Sequence, residues 1–278
     1  MSLGGNNMKL FKFKITCFIC FVVLCILLYH IFTPNLKITS YSYSSSKIPV
    51  EFNNFKIVHI SDLHNKNFGK KQSLLISKIK NEKPDLIVFT GDMIDGTHTD
   101  LSSINNLLNG ISGICPIYAV KGNHEEDNAD TYNTLLSYYK TYHVTLLENA
   151  LATITINHSS IYLYGLNYYG YIPFSLDNLP AADTAKFNIL LQHATNYFDE
   201  LSTKGYDLML SGHTHGGIIR LPFLGGVIAN DGSLFPKYDS GMFQTNNCTM
   251  ISSCGLGDAK VPRIFNPPEI VSITLLSK

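Results

Sequence analysis

Five short polar clusters carry most of the chemically versatile side chains in this chain. They are Asp62-Leu63-His64; Gly91-Asp92, with Asp95 three residues on; Gly122-Asn123-His124-Glu125; His193; and Gly212-His213-Thr214-His215-Gly216-Gly217. Carboxylates mixed with imidazoles suit Zn, Mn or Fe, whereas an all-oxygen set suits Mg or Ca. Three or four side chains saturate one ion. Two Asp, one Asn and three or four His are enough for two ions sharing one carboxylate. Two ions about 3.5–4 Å apart clamp a phosphoryl group and activate water or hydroxide for in-line attack. Taken singly, each cluster has an ordinary explanation. Asp-x-His or Gly-Asp after a strand is commonly a turn or cap, and a single histidine is more often a satisfied core or surface residue. The Gly-His-Thr-His-Gly-Gly run is the most specific, and the ordered set of five points to a metal site.

The clusters need a scaffold that brings them to one place, and each follows an apolar run. Phe55–Ile60, Asp85–Phe89 and Pro116–Val120 read as short buried strands that end at the first three clusters. Helical periodicity over Lys70–Glu82, near Leu101–Leu108 and over Ala129–Tyr142 alternates with them, which predicts a parallel β-α-β-α-β series. Ligand-binding loops sit at the carboxyl ends of such strands. Thr153–Ile156 and Ile161–Tyr164 read as a hairpin, and Phe187–Leu191 and Leu208–Leu210 as strands flanking a helix near Asn196–Leu201. Gly217–Leu221, Met242–Gln244, Thr249–Ser252 and Ile270–Leu275 read as a mostly antiparallel sheet. Two mixed sheets packed face to face, with helices outside, is the economical α/β (α+β) architecture.

The ordered run DLH, GD, GNHE, H and GHTHGG resembles the calcineurin-like metallophosphoesterase superfamily over about residues 52–278. Less specifically, Arg263–Ile270 resembles the membrane-associated bacterial phosphodiesterase branch. The resemblance implies a four-layer α-β-β-α sandwich of two mixed sheets, with the metal site at one edge. It implies that Asp62, His64 and His215 hold one metal, that Asp92 bridges both, and that Asn123, His193 and His213 complete the second. His124 matches the family's catalytic histidine, acting on the leaving-group oxygen. Asp95 fits the position that orients it, and Glu125 is a supporting candidate. No ligand of the pattern is missing, which favours an enzyme over a metal-stabilised, non-catalytic envelope binding protein. The expected cofactors are two divalent ions: Mn, Fe or Zn.

The formal net charge is zero, with 21 basic and 21 acidic residues, so the basic footprint of a nucleic-acid binder is missing and no nucleic-acid partner is expected. The 45% hydrophobic content is enough for a packed core. Cys115, Cys248 and Cys254 are an odd set outside the N-terminal run, which argues against a disulfide scaffold. Ile15–Phe32 lacks charged side chains and follows Lys9, Lys12 and Lys14. That pattern predicts a transmembrane signal anchor over 15–33, with residues 1–14 cytoplasmic, 34–50 a linker and 51–278 the catalytic domain outside the cytoplasm. A cleaved signal peptide and a buried core helix are the rival readings.

For substrate, Asn167–Tyr171 reads as an aromatic loop that stacks on a base or sugar, touches lipid, or simply packs. Arg220 and Arg263 are either phosphate contacts or ordinary surface arginines, and Leu221–Ser233 is a flexible loop near the pocket. The expected partner is a phosphate ester, lipid-linked or from the cell envelope, reached from a single-pass membrane protein.

Overall fold

The computed structural model describes residues 13–22, 35–168, 181–221, 223–229, 232–245, 247–257 and 263–278. Residues 13–22 are helical and exposed. Among the described residues no helix is long and apolar enough to cross a membrane. The rest of the expected anchor lies outside the described residues.

The strands are β1 (Lys37–Ser45), β2 (Lys56–Ile60), β3 (Leu86–Thr90), β4 (Ile117–Val120), β5 (Val144–Leu146), β6 (Ala150–Ile156) and β7 (Ser159–Leu166). They continue with β8 (Asn188–Gln192), β9 (Leu208–Ser211), β10 (Ile219–Leu221), β11 (Gly225–Ile228), β12 (Gly241–Thr245), β13 (Cys248–Ser252) and β14 (Glu269–Ser277). The helices are α1 (Ser73–Glu82), α2 (Ser102–Ile111), α3 (Ala129–Thr141) and the one-turn α4 (Phe198–Leu201).

Two six-stranded sheets result, ordered β1-β14-β2-β3-β4-β5 and β12-β13-β9-β8-β7-β6, with β10 and β11 forming a separate ribbon. In the first sheet β2 to β5 are mutually parallel. In the second, β7, β8, β9 and β13 are parallel, flanked by antiparallel β6 and β12.

Side-chain alternation sorts the layers. Val58, Ile60, Ile87 and Phe89 face α1 to α3 through Leu75, Ile79, Leu107 and Leu135. Ile57, Leu86 and Val88 face the other sheet through Ile189, Leu191, Leu208 and Leu210. On the outer side of the second sheet, Leu190, Met209 and Met250 are covered by Phe198, Leu201 and Tyr206. Continuous apolar strands are what a sheet buried on both faces requires.

Three expectations change. The expected linker 34–50 contains β1, a full strand paired in parallel with β14 from Lys37↔Glu269 to Ser45↔Ser277. Its tyrosines are the reason, because Tyr41 and Tyr43 pack against the core between the sheets. The expected antiparallel C-terminal sheet does not form as one unit, because β14 joins the first sheet beside β2 and β13 pairs in parallel with β9. The outer helical layer on the second sheet shrinks to the single turn α4 among the described residues. Cys248 and Cys254 are free thiols.

Candidate metal centre

The carboxyl ends of β2, β3, β4, β8 and β9 converge at one end of the sandwich. They deliver Asp62 and His64, Asp92, Asn123 and His124, His193, and His213 with His215. The tight turns are visible in the backbone, since Asp62, His64, Asp92, His213 and His215 all have positive φ, between 46° and 69°. Such residues cluster where surrounding structure holds a strained site in place. Two glycines permit the close approach. A Cβ at Gly122 would lie 2.3 Å from Asp92 Oδ1, and one at Gly212 would lie 2.2 Å from Asp62 Oδ2.

Three groups of ligand atoms form. Asp62, His64 and His215 make one; Asp92, His193 and His213 make another; His64, Asp92 and His124 link them. The aspartates are oriented by main-chain donors. The amide of His124 donates to Asp92 Oδ1 at 2.9 Å, and the amide of His213 donates to Asp62 Oδ1 at 3.0 Å. Asp92 Oδ2 is thereby turned between the groups, 3.2 Å from His193 Nε2 and 3.7 Å from His64 Nε2. His193 Nε2 also lies 3.2 Å from Asn123 Oδ1 and 3.1 Å from His213 Nδ1. In the first group His215 Nε2 lies 3.6 Å from Asp62 Oδ1 and 3.2 Å from His64 Nε2.

This arrangement fits cations. His193 Nδ1 donates to the Thr90 carbonyl at 2.7 Å, which directs Nε2 toward Asp92, Asn123 and His213. Those neighbours offer mostly lone pairs, so the cluster needs a positive charge at its centre. Burial by itself lowers the His193 pKa, yet Asp92 above all, with Asp62 and the Thr90 carbonyl, drives it up to about 10. A divalent ion held there would take the place of that proton and leave His193 neutral, as a metal-ligating imidazole must be. Burial instead pushes His215 down to about 3 and lowers His64, so both stay neutral, as metal-ligating imidazoles must be.

The surroundings depart from expectation at Asp95 and add detail at its neighbours. Asp95 does not orient His124. Its carboxylate accepts from the Thr97 amide and hydroxyl and from the His98 amide, and meets His98 Nδ1 at 2.7 Å. Burial raises its pKa, but these hydrogen bonds hold it at about 2. The carboxylate beside His124 is Asp127, whose Oδ2 lies 2.7 Å from Nδ1, within ion-pair range though poorly aligned for a hydrogen bond. Glu125 proves central. Fully buried, it accepts from the amides of Asp92 (2.9 Å), Met93 (2.8 Å) and Gly122 (2.7 Å), tying the β3 and β4 loops together. Burial and then Asp92 raise its pKa to about 7.

Arg263 is not an ordinary surface arginine. It is buried, donates to the Gly257 carbonyl, and places Nη2 3.2 Å from His215 Nδ1. Arg220 pairs with Asp239 at 2.9 Å. Asn266, which the sequence did not single out, donates to the His215 carbonyl at 2.6 Å. Of the aromatic loop, Tyr168 is described and its ring lies 5.8 Å from the rings of both His193 and His213, while 169–171 fall outside the described residues.

Strands that carry Asp, Asn and His at their carboxyl ends make a metal centre suited to phosphoester hydrolysis, and comparison with known proteins identifies the class. The model of the calcineurin-like phosphoesterase family matches residues 55–217. The chain is 32% identical over 256 residues to the uncharacterized metallophosphoesterase YkuE of Bacillus subtilis, covering 87% of this chain and 86% of that one. It is 30% identical over 260 residues to an uncharacterized metallophosphoesterase of Aquifex aeolicus, covering 90% and 95%. It is 27% identical over 232 residues to the phosphodiesterase YaeI of Escherichia coli, covering 80% and 82%. This chain belongs to the calcineurin-like metallophosphoesterase family and is a metal-dependent phosphoester hydrolase.

Proposed function

We propose that the protein is a dinuclear phosphodiesterase acting at the cell envelope. The observation that carries the dinuclear reading is the position of Asp92 Oδ2, between His193 of one ligand group and His64 of the other. Asp62, His64 and His215 would hold one ion, and Asn123, His193 and His213 the other, with Asp92 shared. Mn, Fe and Zn all suit this nitrogen and oxygen set. Bound there, two divalent ions supply Lewis acidity to the phosphoryl oxygens and a nucleophile at neutral pH.

The chain's own residues do the rest. His124 is half-buried at the edge of the site, its ring edge-on to that of His64 with centroids 4.9 Å apart. Asp127 engages Nδ1, which leaves Nε2 to hand a proton to the departing alkoxide or to stabilise its charge. Glu125 holds the loops that carry Asp92 and His124 in register. Tyr168 walls the site beside His193 and His213.

A diester is the preferred substrate class on the strength of the similarity to the phosphodiesterase YaeI. The uncharged apolar run behind three lysines supports a membrane anchor with the domain outside the cytoplasm. The test is turnover of bis-p-nitrophenyl phosphate against p-nitrophenyl phosphate by wild type and His124→Ala. Metal retained with kcat lowered about 10²–10⁴-fold is expected for loss of a general acid. Unchanged turnover in the variant would refute the role of His124, and a preference for the monoester would refute the diesterase reading.

A further inference from the structure

The β10–β11 ribbon grows directly out of the His213–His215 loop. Ile264 bridges to Ile219 on one side of it, and Leu234 bridges to Ile228 on the other. This small unit exposes Leu221, Phe223, Leu224, Leu234, Phe235 and Phe265. The other exposed large apolar side chains of the described domain, Val50, Leu74, Leu151 and Met242, sit singly on separate elements. Phe223 is fully exposed, and Phe223, Phe235 and Phe265 have φ of 69°, 51° and 51°, a region that bulky residues rarely occupy. Large apolar groups concentrated on one rim mark an interaction surface.

Two further observations say what covers it. The first is where the chain enters the domain. β1 starts at Lys37, opposite Glu269 at the start of β14, and β14 runs antiparallel to β2 with Val271 opposite His59. The start of β1 is therefore at the end of the sheet where β2 delivers Asp62. The chain that follows the apolar run therefore enters the domain on the metal-centre side. The second is that residues 13–22 of that region are helical and exposed throughout, with Phe13, Phe18 and Phe21 more than half exposed. Its phenylalanines belong to none of the domain's buried apolar clusters, and an apolar surface of that kind suits a lipid environment.

We propose that the β10–β11 ribbon rests in the interfacial layer of a lipid bilayer, so that the metal centre faces the membrane and takes a phosphodiester with one lipid substituent. The substrate half of this inference rests on the phosphodiesterase reading above. Aromatic and leucine side chains are the groups that settle at the headgroup and acyl boundary. The ribbon and the N-terminal run would then engage one membrane from the same side of the molecule.

The chain contains no tryptophan, so Phe223→Trp and, separately, Leu151→Trp each give a sole fluorophore. Leu151 is exposed on β6, the edge strand of the second sheet. The full chain is reconstituted in phosphatidylcholine and phosphatidylglycerol vesicles whose acyl chains are brominated near the headgroup. Blue-shifted emission from Phe223→Trp, quenched at least about twofold by the bromines, is expected, with Leu151→Trp unquenched. Water-like, unquenched emission from Phe223→Trp overturns the proposal. Blue-shifted but unquenched emission also overturns it, because the ribbon is then covered by protein.

This readout needs no hydrolysis, so failure of the phosphodiesterase reading shows separately, as intact quenching without turnover. For the substrate, the ratio of kcat/KM on a lipid-borne p-nitrophenyl phosphodiester to that on bis-p-nitrophenyl phosphate is compared between wild type and Phe223→Ser/Phe235→Ser. A fall of about tenfold or more supports membrane-borne substrate, and an unchanged ratio overturns that half.

Discussion

Gly122→Ala tests whether the loop geometry, and not merely the ligand types, makes the site. A Cβ there would lie 2.3 Å from Asp92 Oδ1 and 2.7 Å from the Asp92 amide nitrogen. Reaching even 3.0 Å requires about 0.7 Å of movement, beyond the roughly 0.5 Å to which a catalytic constellation must be held. The movement cannot be absorbed by a free side chain. Asp92 Oδ1 is held by the His124 amide, and Glu125 ties the Asp92 and Gly122 amides to one carboxylate oxygen. The shift must therefore pass to Asp92 Oδ2, the atom proposed to be shared between the ions. A displacement approaching 1 Å costs on the order of 10²-fold, or about 2.7 kcal/mol of transition-state stabilisation. The assay is kcat/KM on bis-p-nitrophenyl phosphate at saturating Mn, alongside metal content and circular dichroism. A folded variant within threefold of wild type would refute the reasoning, because Asp92 would then tolerate the displacement.

Two other substitutions follow from the same neighbourhood. Glu125→Gln puts an amide NH₂ among three main-chain donors, and a lowering of metal affinity or activity by about 10–100-fold is expected; metal titration checks it. Asp127→Asn lowers kcat more than Asp95→Asn, since Asp127 and not Asp95 meets His124; parallel steady-state kinetics of the two variants decide this, and the reverse order would restore the expected role of Asp95.

What was legible in the sequence follows from burial. Strands covered on both faces read as unbroken apolar runs, so β2, β3, β4, β8 and β9, and the ligands behind them, stand out. β1 does not. Its KITSYSYSS offers the core only Ile38 on one face and Tyr41 and Tyr43 on the other, and an edge strand so rich in serine and tyrosine looks like a linker until its partner is known. That partner is β14, more than 200 residues away, and no local pattern encodes such a pairing. The same limit explains the misplacing of β14 itself, whose apolar residues suit either sheet.

Around the site, ligand identities follow from residue type, but supporting contacts depend on tertiary approach. Arg263 and Asn266 reach His215 across about fifty residues of chain. Asp127 had a local signal, because His124–Asp127 and Asp95–His98 are both spaced i, i+3, but spacing alone does not say which carboxylate meets the catalytic histidine.

The central claim is a two-ion site shared through Asp92, and the most direct measurement is metal content per folded chain together with turnover, for wild type and Asp92→Ala. Two ions and metal-dependent hydrolysis in the wild type, with turnover abolished and at least one ion lost in the variant, is the predicted result. A folded Asp92→Ala protein that keeps two ions and hydrolyses the diester at the wild-type rate would contradict it.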